Sequence, residues 1–212
     1  KDVLEGVYKE YYLNGNLKTA EFYTNDQLNG VCKYFYDDGQ LKYSMTFRNG
    51  ELDGEIKEYY PNHQLKSEAN YLKGFWDGLV KEYTEDGSLE TEWNYRNGLK
   101  EGISRLYYPN GKLRSETTFL HDVVEGVSRA FDENGKVLME AQFMNNKLNG
   151  ILKEYASSGY LQRETYYKDD MKEGPMKEYF HNGQVSIERT YVHGEESGSS
   201  REYFDNGQLW VE

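Results

Sequence analysis

The stretch Gly102-Ile-Ser-Arg-Leu-Tyr-Tyr-Pro-Asn-Gly111 contains the features that recur along the whole chain: a glycine, a basic residue, aromatic residues and a turn that ends in glycine. Its first glycine defines position one of a unit that returns every 24 residues without insertion or deletion. Position one is occupied by Gly6, Gly30, Gly54, Gly78, Gly102, Gly126, Gly150, Gly174 and Gly198. Position ten is occupied by Gly15, Gly39, Gly87, Gly111, Gly135, Gly159, Gly183 and Gly207, with His63 as the exception. Position twenty-one contains only Gly, Asn or Asp, and the three series account for all 21 glycines. Such regularity predicts a repeat array.

Four other positions are nearly constant. Positions six and eighteen are always aromatic, and position twelve is always Leu or Val. Position four is always basic, and it is occupied by Lys9, Lys33, Lys57, Lys81, Arg105, Arg129, Lys153, Lys177 and Arg201. Two turn zones in each unit leave segments of strand length and not of helix length. The sequence therefore predicts an all-β protein, an elongated antiparallel array of about nine β-hairpins in a single layer that spans residues 1–212 as one domain.

The turn at positions eight to ten has two possible geometries. A two-residue type I′ turn would centre on the Asn-Gly pair, whereas a three-residue loop would be a type I turn closed by glycine in a bulge. Pro61 and Pro109 favour the second, because proline suits the first central residue of a type I turn. This choice predicts that position six pairs with twelve, four with fourteen and two with sixteen, so that positions two, four, six, twelve, sixteen and eighteen share one face. It also predicts that Glu10 and Glu58 lie directly across from Lys18 and Lys66.

The composition excludes several classes of protein. The net charge of -12 and the pI near 4.9 argue against a nucleic-acid partner. Only 37% of residues are hydrophobic and no long apolar run occurs, so we expect neither a transmembrane helix nor a signal peptide within these residues. The 21 tyrosines indicate thin sheets and not a thick core, and argue against disorder. We expect a soluble protein, and the sequence leaves the bacterial cytoplasm and the cell envelope or export open as its location.

With these positions established, the unit resembles the MORN repeat in the variant form common in bacterial proteins. Gly54-Glu-Ile-Lys-Glu-Tyr-Tyr-Pro-Asn62 and the opening stretch match it closely. The resemblance implies successive β-hairpins and a role as a scaffold or adaptor between proteins or at membranes, with phospholipid binding proposed for some members. Bacterial proteins of this type often carry an antitoxin-like label. The resemblance implies no catalytic residue.

Catalytic chemistry has little support in the sequence. The histidines His63, His121, His181 and His193 fall in separate turns, and Cys32 is the single cysteine. Residues spaced along an array do not converge into a triad or a metal site. We therefore expect no enzyme activity, no catalytic residue, no metal and no cofactor.

Two candidate binding surfaces remain. The basic residues of position four, one per hairpin, could contact an anionic lipid or glycan; alternatively, their stems cover neighbouring rings and the residues are structural. The second candidate is Phe75, Trp76 and Trp93, which depart from the residues at the same positions elsewhere and suit a protein interface; alternatively, they fill a local gap in the thin core. The preferred function is a non-enzymatic scaffold that binds a protein through one broad face; the alternatives are a membrane-surface or anionic-glycan binder and a toxin-neutralising antitoxin.

The ends of the chain fall within a repeat. Lys1-Asp-Val-Leu-Glu5 fits positions twenty to twenty-four, and Glu212 occupies position fifteen. We expect the native protein to be longer, and we expect the uncovered end strands to support end-to-end self-association.

Overall fold

A computed structural model of the protein describes residues 3–212. The assignment of Lys1 and Asp2 to repeat positions lies outside the described residues. The described part contains 22 strands and no helix, and so contains no helix long and apolar enough to cross a membrane. The strands are β1 Gly6–Tyr11, β2 Leu17–Thr24, β3 Gln27–Leu28, β4 Gly30–Phe35, β5 Leu41–Arg48, β6 Glu51–Tyr59, β7 Leu65–Leu72, β8 Phe75–Trp76, β9 Gly78–Tyr83, β10 Leu89–Arg96, β11 Leu99–Lys100, β12 Gly102–Tyr107, β13 Leu113–Leu120, β14 Val123–Phe131, β15 Val137–Met144, β16 Lys147–Tyr155, β17 Leu161–Lys168, β18 Met171–Tyr179, β19 Val185–Val192, β20 Glu195–Glu196, β21 Arg201–Tyr203 and β22 Leu209–Val211. The predicted all-β fold is confirmed.

The strands divide between two compact units. One comprises the described residues up to Gly102 together with Pro109–Gly111, and the other comprises Ile103–Tyr108 and Lys112–Glu212. Within each unit, strands that follow one another along the chain pair antiparallel, as in β4–β5–β6–β7 of the first and β13–β14–β15–β16 of the second. Each unit is therefore a meander of hairpins, as expected for a repeat whose copies contact their neighbours in sequence.

The turn at positions eight to ten has the predicted three-residue geometry. In the first repeat the N–H of Gly15 donates to the carbonyl of Tyr12 at 2.9 Å, and the N–H of Tyr12 donates to the carbonyl of Asn16 at 2.8 Å. Gly15 has a φ of 88°, whereas Asn14 is not among the residues with positive φ. Because a type I′ turn needs positive φ at both central residues, that alternative is excluded. His63, at the equivalent place, has a φ of 71°.

The turn at positions twenty and twenty-one is the type I′ hairpin turn. Asn49 and Gly50 have φ of 50° and 82°, and the residues on either side of them pair directly. The restriction of position twenty-one to Gly, Asn or Asp follows from this geometry. Position twenty also has positive φ, which Lys73 adopts at 50° although lysine has no preference for it.

The predicted strand register is wrong by one residue over most of the hairpin. Position six pairs with twelve as predicted (Tyr59 with Leu65), but position four pairs with fifteen (Lys57 with Glu68) and not with fourteen. The register shifts by one residue between positions five and six, because the opposite strand contains a bulge. The extra residue is at position thirteen, Lys66 in this repeat, and it has no residue directly across from it. Glu58 and Lys66 therefore contact each other diagonally, at 2.9 Å, as do Glu10 and Lys18 at 3.1 Å.

The one-residue shift also corrects the predicted faces, because successive residues of a strand point to opposite sides. Positions two, four, six, fifteen and seventeen lie on one face, which we call the charged face. Positions three, five, fourteen, sixteen and eighteen lie on the other, which we call the core face. Sixteen and eighteen were predicted to share a face with four, and they do not.

The core face contains the most buried side chains. At position three Cys32, Val80 and Met176 are 0%, 6% and 3% exposed, and at position sixteen Ala141 is 1% exposed. The burial of position three was not predicted from the sequence, because its residue changes from copy to copy. Its signal is that it never carries a charge: its occupants are Tyr8, Cys32, Ile56, Val80, Ser104, Ser128, Leu152, Met176 and Ser200.

Candidate functional site

An aromatic cluster lies on the core face of the first unit. The ring of Trp76 is 4.7 Å from that of Tyr95 and 6.1 Å from that of Tyr71, with tilted and edge-on geometry. The two tyrosines are consecutive occupants of position eighteen, and Trp76 lies in the short strand between them. Trp76 remains 38% exposed. The indole is thus supported on two sides and open to solvent.

The register explains which of the three predicted interface residues come together. Trp76 pairs with Tyr71, so its side chain is on the core face. Trp93 pairs with Val80 and is two residues before Tyr95 on the same strand, so it is on the core face as well. Trp93 was predicted to lie on the face of the basic residues, and its pairing with Val80 shows that this prediction was wrong.

Phe75 lies apart from the two tryptophans. It pairs with Leu72 and, being adjacent to Trp76, points to the opposite side of the sheet. Its ring packs against the next type I′ turn, where a Cβ added to Gly98 would be 3.2 Å from Phe75 Cδ1. Phe75 is 58% exposed. The aromatic surface on the core face therefore consists of Tyr71, Trp76, Trp93 and Tyr95; we call it the tryptophan surface.

A lysine lies directly over one of these rings. Lys100 Nζ is 3.7 Å from the ring centroid of Trp93. A cation this close to an indole face gains about 0.5–1 kcal/mol at an exposed site. The tryptophan surface therefore combines ring faces with a positively charged group.

The basic residues of position four lie in rows of alternating charge on the charged face. In the first unit Lys57 is across from Glu68, and Glu68 is across from Lys81. In the second unit Arg129 Nη1 is 3.0 Å from Glu116 Oε1, and Arg129 Nε is 2.7 Å from Glu140 Oε2. The second unit's row consists of Arg105, Glu116, Arg129, Glu140, Lys153, Glu164, Lys177, Glu188, Arg201 and Glu212.

Position six contributes to the same row. Tyr179 donates its hydroxyl hydrogen bond to Glu164 at 2.6 Å, and Tyr203 donates to Glu188 at 3.0 Å. Glu188 also lies 3.1 Å from Lys177 Nζ. The pKa of the Glu188 carboxyl is lowered below its ordinary value, mainly by the hydrogen bond from Lys177 and next by the hydrogen bond from Tyr203. In these copies the basic residue of position four and the tyrosine of position six share the glutamate of position fifteen, which gives both a role within the fold.

The row lacks its carboxylates at the start of the chain. Lys33 is across from Ala20 on one side and from Ser44 on the other, and Lys9 is across from Ala20. Over residues 3–212, no carboxylate oxygen lies within 4.0 Å of the ammonium of either lysine. Both side chains are exposed. Lys9 and Lys33 are therefore the two predicted anion-contacting residues shown to be exposed with no carboxylate directly across from them.

The residues considered for catalysis are dispersed. His63, His121, His181 and His193 are exposed and lie in four different turns. Residues 3–212 contain no group of three or more histidine, cysteine or acidic side chains arranged to hold a metal ion. Cys32 is fully buried across from Met45, and burial raises the pKa of its thiol. A buried thiol with a raised pKa is a poor nucleophile.

Comparison with known families identifies the repeat. The family model of the MORN repeat variant matches seven times, at residues 4–25, 28–49, 52–73, 76–97, 100–121, 124–145 and 172–193. The chain belongs to the MORN repeat variant family. Each matched MORN copy ends at position twenty, the first residue of the type I′ turn, so the family unit and the hairpin coincide. A search of the curated proteins finds no match.

Comparison with solved structures finds partial similarity at low sequence identity. A mutant of S. aureus TarM in complex with Fondaparinux, alpha-GlcNAc-glycerol and UDP is 13% identical, with a TM-score of 0.27 over 56% of this MORN-repeat chain. The TcdB2-TccC3-Cdc42 complex is 12% identical, with a TM-score of 0.24 over 93% of the chain. The Photorhabdus luminescens Tc holotoxin pore is 12% identical, with a TM-score of 0.21 over 96%. The chain spans 19%, 13% and 14% of these three chains.

Proposed function

We propose that this MORN-repeat protein is a non-enzymatic scaffold that binds a protein partner through the tryptophan surface. The observation that carries the proposal is the position of Trp76, which packs between Tyr71 and Tyr95 yet is 38% exposed. Leu28 and Leu52 occupy the same repeat position in the preceding copies. A rigid, half-exposed indole supported by neighbouring rings is the kind of residue that anchors protein interfaces.

The tryptophan surface offers a partner more than one anchor. Trp93 lies on the same face, and Lys100 lies over its ring. Aromatic side chains immobilised by packing lose little conformational entropy when they bind. A toxin partner, as the antitoxin-like label of related bacterial proteins implies, would be one case of this proposal.

Binding to an anionic surface through position four is the second candidate. The ion pairs of the basic residues count against it, because each paired cation would have to be separated from a glutamate on binding. The observation in its favour is confined to Lys9 and Lys33, which have no carboxylate directly across. The two candidates differ in their response to salt, since only contacts between exposed charges weaken steeply with ionic strength.

The main proposal is tested by a pull-down in which this protein and its tryptophan-to-alanine variants serve as baits. The double variant Trp76→Ala and Trp93→Ala is compared with Trp210→Ala, which removes the chain's remaining tryptophan, 61% exposed in β22 of the other unit. A protein captured by the wild-type bait is identified, purified and titrated against all three baits at low and high salt. We expect the double variant to lose the interaction, and Trp210→Ala and the wild type to keep it at both salt concentrations.

Circular dichroism separates binding from folding in this experiment. If the folded double variant binds the partner as tightly as the wild type, the tryptophan surface is not the interface. If binding disappears at high salt and is lost instead in a variant with Lys9→Gln and Lys33→Gln, the anionic-surface candidate replaces the main proposal.

A further inference from the structure

A cavity of about 420 Å³ opens on the core face of the first unit, between the first two hairpins. Its lining includes four aromatic residues and two lysines: Tyr12, Tyr34, Phe35, Tyr43, Lys18 and Lys42. Phe35 occupies position six, whose side chains point to the charged face, so the rings on this side are those of the three tyrosines. None of these residues belongs to the tryptophan surface. No carboxylate lines the cavity.

The hydroxyl groups of the lining tyrosines are already engaged. Tyr12 donates to the carbonyl of Phe35 at 2.7 Å, and Tyr43 donates to Glu58 at 2.9 Å. These hydrogen bonds hold the rings in place. The cavity is therefore walled mainly by apolar ring surface, which favours a flat apolar group.

One cation at the cavity differs from its counterparts in neighbouring repeats. Lys18, Lys42 and Lys66 are successive occupants of position thirteen, and Lys18 and Lys66 are paired with the glutamates of position five at 3.1 and 2.9 Å. In the second repeat, position five is occupied by Tyr34 and not by glutamate. Lys42 has lost the acid that neutralises its counterparts.

Two tyrosine rings lie close to the ammonium of Lys42. Its Nζ lies 5.3 Å from the ring centroid of Tyr43 and 5.4 Å from that of Tyr36. No carboxylate oxygen of residues 3–212 lies within 4.0 Å of it. An ammonium next to an apolar, aromatic cavity is a site for an anion that carries a flat apolar body.

We propose that this cavity binds a small aromatic carboxylate, with the ring of the ligand against Tyr34 and Tyr43 and its carboxylate on Lys42. One unpaired ammonium matches one negative charge, and the ring faces match a planar apolar group. The replacement of glutamate by Tyr34 supplies both features at once, because it removes the competing carboxylate and adds a ring to the wall. The site is independent of the protein interface proposed above.

Indole-3-acetate serves as the probe, with isothermal titration calorimetry and amide chemical-shift mapping as the measurements. We expect a dissociation constant of about 1 mM or tighter, with shifts centred on Tyr34 and Lys42. Indole-3-acetamide lacks the charge and acetate lacks the ring; each should bind about tenfold more weakly or worse, since each removes one of the two contacts. Shifts centred on Trp76 and Trp93, or equal binding of the amide, would overturn the proposal.

Variants of the protein test whether Tyr34 and Lys42 form the binding site. Tyr34→Glu restores the residue found at position five in Glu10 and Glu58, so it suits the fold and should abolish binding by pairing with Lys42. Lys42→Gln keeps most of the side chain and should weaken binding about tenfold. Lys66→Gln, the matched control in the next repeat, should leave binding unchanged. Full binding by folded Lys42→Gln would refute the site, and this variant decides the question if Tyr34→Glu fails to fold.

Discussion

The hydroxyl of Tyr60 donates a 2.9 Å hydrogen bond to the backbone carbonyl of Tyr83, 23 residues further along the chain. The same bond joins Tyr12 to Phe35, Tyr36 to Tyr59 and Tyr108 to Phe131 at 2.7, 2.7 and 2.8 Å. In each case a tyrosine at position seven of one repeat reaches the carbonyl of position six in the next. The bond therefore connects successive hairpins of a unit at the ends of their strands, where the backbone ladder stops.

We predict that Tyr60→Phe destabilises the protein by about 0.5–1.5 kcal/mol, the usual net worth of one hydrogen bond. The ring and its packing remain, so the loss reports the hydroxyl alone. Urea unfolding measures the difference. Tyr166→Phe is the control, because Tyr166 is 45% exposed and no hydrogen bond of its hydroxyl is seen within the described residues. Equal effects of the two variants would show that the bond to Tyr83 contributes nothing.

We predict that His63→Gly stabilises the protein by roughly 0.5–1 kcal/mol, because His63 adopts the positive φ of 71° that glycine adopts in eight other repeats. The reciprocal variant Gly183→His should destabilise it. A Cβ at Gly183 would meet no atom within 4 Å, so the cost there comes from the backbone alone. Thermal unfolding measures both, and a loss of stability in His63→Gly would contradict the prediction.

The type I′ turn supports a similar prediction at Lys73, whose φ is 50°. Lys73→Asn should stabilise the protein by a few tenths of a kcal/mol, up to about 1 kcal/mol, because asparagine tolerates this conformation better than lysine. Asn97→Lys in the next repeat is the converse change and should destabilise it. We expect Lys73→Asn to raise the stability and Asn97→Lys to lower it. The reverse pair of signs would indicate an effect of charge and not of backbone conformation, because Lys73→Asn removes a cation from a chain of net charge -12 and Asn97→Lys adds one.

The ion-pair row predicts a pH dependence at Glu188. Lys177 and Tyr203 lower the pKa of Glu188 below its ordinary value of 4.5, so the carboxylate is stabilised in the folded state. The contribution is present above pH 4.5 and is lost as the pH falls through the lowered pKa. Because the side chain is partly exposed, we expect a contribution of less than about 1 kcal/mol.

The measurement compares wild type, Glu188→Gln and Glu195→Gln by urea unfolding across the acid range. Glu188→Gln should be less stable than wild type near neutral pH, and the difference should shrink as the pH falls below 4.5. Glu195 is exposed, so Glu195→Gln should follow the wild-type curve. A difference between Glu188→Gln and wild type that stays constant with pH would show that the charge of Glu188 is not involved.

The sequence by itself determined the repeat, the strand class and the turns. Glycine spacing, Pro61 and the restriction of position twenty-one are local signals, since a turn depends on the backbone conformation of two or three adjacent residues. His63 could be assigned a positive φ from its position alone, and the structure has it at 71°. The departures from consensus at Tyr34, Phe75, Trp76 and Trp93 are visible in the sequence as well.

Only the tertiary structure decided which of these residues share a face. The bulge at position thirteen depends on how two strands fit against each other, and the residue type at that position does not predict it. The bulge nevertheless moves every later residue of the strand to the opposite face of the sheet. It placed Lys57 across from Glu68, so the basic residue of position four forms part of an ion-pair row, and it placed Trp93 on the face of Trp76 and not on the face of the basic residues. Backbone conformation at a turn is a property of neighbouring residues, whereas pairing across a sheet is a property of two segments at once, and for that reason only the folded chain settled it.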